Sequence, residues 1–413
     1  MKVKLKNIIK CGVTISVILA IIVTSIYIKY GGFSSGNAVS TEQIMQYAKP
    51  IDAITIDRSV KIIGLGEATH GNVEFQVLKK DVLMQVVSSN NVTALALETD
   101  FASAILVNSY ISGISNDRDT AIKNLGFKIY QTEQMGQLLD AIKAFNATCD
   151  PTCQIHFYGF DMQHIKSTLD LISLLARQNA IDINELFTFF DTDQWKEGVD
   201  YTEFKNVSKT ILTKFTNTND EQILEQLLTL LDQNYLLKHE SDIDKAMDLR
   251  DKFMAENVQW IVDQENKRDL NCTVMISGHN SHIGKWNGVV SLGSELENHY
   301  GDSYYCIGTD FYHTKVNLPK KDKRTIKRFY SLNPIAKGVH RAQLNCAWFD
   351  FSEINEGELL DTINTYIYMG NIGERYSVMM KFIPLMYRMY QQPSQLFDSM
   401  IIVDEATPTQ IIE

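Results

Sequence analysis

The six cysteines of this 413-residue chain form no CxxC…CxxC pattern, which argues against a thiolate zinc site. Positive charge is also short: 39 Lys and Arg stand against 50 Asp and Glu, a net charge of −11. A phosphate-binding surface wants the opposite sign, so nucleic acid is not an expected partner. There is no HExxH pair and hence no zincin-type helix. No fixed-period repeat or low-complexity tract is apparent. With 45% apolar and 22% charged residues, the bulk of the chain is not of disordered composition. One G-x-S-x-G match, Gly32 to Gly36, lies in a Gly/Ser/Asn-rich stretch behind an apolar run. A nucleophile elbow needs a strand before it and a helix after it, so this match is set aside.

The N-terminus carries a membrane signal. Lys2, Lys4, Lys6 and Lys10 precede an apolar run from Gly12 to Ile28. A basic segment followed by an apolar one is the pattern of export, and the run is nearly long enough to span a bilayer. The lysines mark the cytoplasmic side. The expected organisation is a signal-anchor over residues 1–30, a flexible linker over 31–44, and one α/β domain over 45–413. Its expected location is the cell membrane, single-pass, with the domain outside. Secretion after cleavage near Ala38-Val39-Ser40 is the alternative. In such a compartment Cys149 and Cys153, flanking Asp150-Pro151-Thr152, are candidates for a local disulfide.

Short apolar runs at Lys61–Leu65, Val92–Leu97, Ile155–Phe160, Thr273–Ser277, Tyr304–Gly308 and Met400–Val403 predict strands. Helical spacing between them, as over Asn72–Ser88, predicts an α/β fold: a mostly parallel central sheet flanked by helices. Residues from about 180 to 265 show no clear strand and predict a helical insertion or cap. The basic run from Lys320 to Arg328, behind Pro319, is expected to be a solvated loop; the sharper alternative is contact with an anionic envelope polymer.

Ligands bind beyond the carboxyl ends of strands in open parallel sheets. Ionisable residues recur there: Glu67, Thr69 and His70 after the first predicted strand, Glu98 after the second, and Asp161 with His164 after the third. His279, Asn280 and His282 follow the fourth, and Asp310 the fifth. Glu67 and His70 are close enough for a carboxylate to orient an imidazole, which suits general-base work. A histidine satisfied in a tight turn is the plain alternative. His279 and His282 have the spacing to polarise a carbonyl or grip a metal. Arg250, Met254 and Asn257 share one helical face, for which an exposed ion-pair surface is the simpler explanation.

GLGEATHG from Gly64, YGFD from Tyr158, RDKFMAENVQW from Arg250 and GHNSHIG from Gly278 together resemble the erythromycin esterase family. The late segment Phe397 to Pro408 does so as well, and the resemblance spans about residues 45–410. It implies hydrolysis of a macrolide lactone, the chemistry of macrolide resistance, with His70 as general base and Glu67 beside it. His279 and His282 would be the paired histidines, Glu98 the carboxylate after the second strand, and Lys79 the basic residue of the following helix. The expected reaction is ester or lactone hydrolysis by histidine-activated water, with His279 or His282 electrophilic. Glu98, Lys79, Glu74, Asp161, Arg250 and Asn280 would line the substrate cleft. No cofactor is expected. Two alternatives are a divalent metal held by Glu67, His70, His279 and Glu98, and a non-catalytic protein binding an envelope glycan or lipid.

Overall fold

The computed structural model describes residues 16–19, 21, 36–285, 288–320, 323–373, 375–381 and 383–412. Its centre is an eight-stranded sheet. In chain order the strands are β1 (Ile62–Glu67), β2 (Val92–Asp100), β3 (His156–Asp161), β4 (Thr273–His279), β5 (Tyr304–Lys320), β6 (Lys323–Tyr330), β7 (Cys346–Asp350) and β8 (Ser399–Ala406). Their order across the sheet is β3-β2-β4-β1-β5-β8-β7, with β6 paired to β5. The inner pairs are parallel; β7 and β6 run antiparallel to their neighbours.

Strand composition explains the layering. Successive side chains of a strand point to opposite faces. Ala94 and Ala96, Val274 and Ile276, and Met400 and Ile402 enter one apolar core. Leu95, Leu97, Met275, Ile401 and Val403 enter the other. Both faces are thus buried, which is why β1, β2 and β4 are almost wholly apolar until their last residues. Helices α1 (Val73–Val86) and α2 (Glu133–Asn146) cover the second core. Helices α3 (Lys166–Gln178), α4 (Tyr201–Lys214), α5 (Glu221–His239) and α6 (Ile243–Arg268) cover the first. They form the long crossover from β3 to β4, which is the helical insertion expected over 180–265 with one short hairpin, Phe190–Asp191 against Gln194–Trp195, added.

Three expectations change and one strand is added. The basic run is not a loop: Lys323–Tyr330 pairs with His313–Lys320 as an antiparallel hairpin, because β5 continues well past the point where the apolar pattern stops. Cys346–Asp350 is a further strand, five residues long and too short to stand out in the sequence. Residues 41–44 are not linker; they open a helix, Thr41–Tyr47, capped by the Ser40 hydroxyl and anchored by buried Ile44. Cys149 and Cys153 are free thiols. The anchor expected over 1–30 lies outside the described residues except for 16–19 and 21. Among the described residues no helix is long and apolar enough to cross a membrane.

Candidate active site

Strand order sets the site. Reading β3-β2-β4-β1 at the carboxyl edge places Asp161, Glu98, His279 and Glu67 in one row. Glu67 and His279 are register partners on adjacent parallel strands. Leu97 pairs with Ser277, so Glu98 stands beside Gly278 and His279. At Gly278 a Cβ would sit 2.9 Å from Glu98 Oε2, and at Gly66 it would collide with the Asn280 side chain; the two glycines let the strand ends close up.

The first half is Glu67 with its partners. Its Oε1 lies 2.7 Å from His70 Nδ1 and accepts from Tyr130 Oη at 3.0 Å. Its Oε2 accepts from Lys79 Nζ at 2.5 Å. Glu67 and Lys79 are buried, so each charge depends on the other. Burial would raise the Glu67 pKa, but Lys79 and His70 outweigh it and hold it at about 2.

The second half is a charge network around Arg250. Arg250 Nη2 reaches Asp161 Oδ2 at 2.7 Å and Glu98 Oε1 at 2.9 Å. Glu98 Oε2 accepts the His279 backbone N–H at 2.8 Å. Burial would push Glu98 up, yet His282 and Arg250 hold it well below the usual carboxylate range. His282 is committed on both sides. Its Nδ1 is 2.8 Å from Asp251 Oδ1, and its Nε2 lies 3.4 Å from Glu98 Oε1 and 3.2 Å from Arg250 Nη1. Burial lowers its pKa, but Glu98 and Asp251 raise it to a net value above the ordinary one.

His279 stands between the halves. Its ring centroid is 5.1 Å from that of His70 and 6.5 Å from that of His282. Nδ1 is 2.7 Å from Ser281 Oγ. Nε2 is buried with no hydrogen-bond partner among the described residues. Burial first, then the neighbouring His70, depress its pKa to about 3, so the ring is neutral. The sign of this shift predicts acid behaviour. The unfolded chain binds a proton near the ordinary value of 6.5, so stability falls as pH drops from about 6.5 toward 3. Glu67 adds a loss between about 4.5 and 2. His282 opposes: its contribution is complete below about 6.5 and fades as pH rises through its folded value. His279→Asn is expected to flatten the decline between pH 6.5 and 4.5, measured by urea unfolding at fixed pH. An unchanged slope would mean that His279 is charged in the fold.

Not every expected residue joins this cluster. Glu74 turns to the C-terminal segment, where its carboxylate accepts from Thr407 N–H and Oγ1 at 2.7 Å each. Asn280 is a brace, since its amide donates to Thr309 O at 2.7 Å and accepts from Thr309 N at 3.2 Å. The face of α6 bearing Arg250 is buried, with Asn257 donating to Phe160 O, so it is not an exposed ion-pair surface. Among the described residues no three His, Cys, Asp or Glu side chains stand in a metal-holding arrangement. The carboxylate oxygens expected to bind one are taken by Lys79, Tyr130, His70, Arg250 and a backbone N–H, so these residues do not fit a metal as they stand. Sequence reasoning missed Tyr130 and Asp251. Asp251 stands in the quoted segment RDKFMAENVQW but was given no role; Tyr130 had no signal, arriving through a turn before α2.

The erythromycin esterase family model matches residues 87–406. Erythromycin esterase type II of Escherichia coli is 21% identical over 420 residues, covering 88% of this chain and 93% of that protein. The crystal structure of a Bacillus cereus protein superposes with a TM-score of 0.73 at 20% identity, over 90% of this chain and 98% of that one. A mutant of erythromycin esterase EreC in its open conformation superposes at 0.60 with 12% identity, covering 91% and 99%. The family match and the Escherichia coli relative mark the chain as an esterase-type hydrolase. The chain belongs to the erythromycin esterase family.

Proposed function

We propose that this protein opens a carboxylic ester or macrolide lactone with water activated by His70. Glu67 accepts the Nδ1–H of His70 and fixes the ring, and Nε2 takes a proton from water. With Ser281 as the donor to His279 Nδ1, Nε2 of that neutral ring carries its hydrogen. It donates to the carbonyl oxygen as charge develops there. His282, saturated by Asp251 and Glu98, positions the Arg250 network and is not assigned the electrophilic role. No metal or nucleophilic serine enters the scheme. The observation that carries the reading is the Nε2 of His279, buried and without a partner among the described residues, beside a histidine oriented by a carboxylate.

The macrolide reading is taken from the Escherichia coli relative's name, and the location from the lysines and apolar run at the N-terminus. One experiment addresses both. The full chain is expressed, and washed membranes, cytosol and medium are each incubated with a 14-membered macrolide. Mass spectrometry is expected to show a product heavier by one water, formed by the membrane fraction. No product in any fraction rules out the macrolide. Activity confined to the medium shows cleavage of the anchor, and activity in the cytosol removes the anchor reading.

A further inference from the structure

Beside His70 lies a groove of about 170 Å³. Pockets for drug-sized ligands run from roughly 300 to 1,000 Å³, so this groove holds one short arm of a substrate, not the whole of a large one. Phe127, Leu318 and Pro319 give it apolar walls, and Lys128 and Arg324 are cationic members of its lining. Both cations are exposed. Arg324 uses Nε and one Nη2 hydrogen on Asn317, which fixes the guanidinium and leaves its Nη1 and remaining Nη2 hydrogens to donate.

The hairpin that delivers Arg324 is unusual in its charge. Lys315 is directly opposite Arg328, and Lys320 is directly opposite Lys323. Like charges facing across a ladder destabilise it. Among the described residues, none of Lys315, Lys320, Lys323, Arg324, Lys327 and Arg328 forms an ion pair with a carboxylate. This concentration of unneutralised positive charge occurs in a chain of net charge −11. Lysines on an edge strand also block edge-to-edge pairing; an anion drawn to the groove would in addition offset this repulsion.

We infer that the groove beside His70 takes an ester whose acyl part ends in an oxyanion, carboxylate or phosphate, with Arg324 and Lys128 holding the anion and the hairpin steering it in. This rests on the hydrolase reading for the position of the scissile bond. The anion's recognition is tested without any hydrolysis. Calorimetric titration of the full chain uses three inert amides of one length: N-(4-nitrophenyl)glutaramic acid, its phosphonate counterpart and the neutral N-(4-nitrophenyl)pentanamide. At least one anionic probe is expected to bind ten-fold or more tightly than the neutral one, and the tighter of the two names the anion. That preference is expected to fall at least five-fold in the Arg324→Gln, Lys128→Gln double variant, and to shrink as ionic strength rises toward 1 M. Equal binding of all three probes overturns the inference, as does a preference unmoved by the double variant. An anionic preference without turnover of the matching 4-nitrophenyl ester would sink the esterase reading and leave this one standing.

Discussion

His70→Ala is expected to lower kcat for ester hydrolysis by about 10²–10⁴-fold, the range a positioned general base supplies. The structure makes this substitution a clean one. His70 is partly exposed, and Glu67 keeps Lys79 and Tyr130 when the imidazole is gone. No buried charge is stranded, so the melting temperature should stay close to that of the parent. Glu67→Gln would be a poorer test, since it leaves Lys79 buried without a counter-charge. The measurement is kcat and thermal unfolding on the same preparation. Full activity in the variant would remove His70 as the base. Loss of activity together with loss of the fold would place the residue in the scaffold.

Arg250→Met should have the largest effect on stability, a decrease of about 3–5 kcal/mol in unfolding free energy, as expected when one partner of a buried pair is deleted. Arg250 joins Glu98 and Asp161, and both carboxylates are buried. Methionine restores packing volume but returns no charge. Glu98 then keeps His282 Nε2 at 3.4 Å and the His279 backbone N–H, and among the described residues Asp161 keeps the Gln163 amide and two backbone N–H donors. Urea unfolding at neutral pH reads the difference. A change below about 1 kcal/mol would mean that water or protonation satisfies the two carboxylates, and that the network is not held by its charge.

Much of this arrangement was legible in the chain. Glu67, Glu98, Asp161 and His279 end runs of buried apolar residues, and in a parallel sheet such positions fall on one edge. Strand runs and the helical crossover followed from the same logic. What escaped depends on crossings between distant segments. Tyr130 reaches Glu67 from a short turn between helices, and Asp251 meets His282 because α6 lies over that edge. Glu74 shows the reverse error: one turn from the motif in sequence, it faces Thr407 instead. The β5–β6 hairpin was obscured by its lysines and arginines, which by composition suggest solvent; backbone pairing with the extended β5 decides its form.

The register of β1 against β4 has a consequence for how the enzyme comes into being. These two strands are more than 200 residues apart in sequence, yet each supplies half of the histidine pair's setting. Contacts of such separation form late, because a long loop must close before they contribute. Helices on either face can therefore be complete while the chain is still inert. A slip of one residue between the strands would turn Glu67 and His279 to opposite sides of the sheet. Regain of hydrolysis during refolding is thus a clock for the final alignment of the sheet's middle, and it should lag behind any signal that counts helical turns.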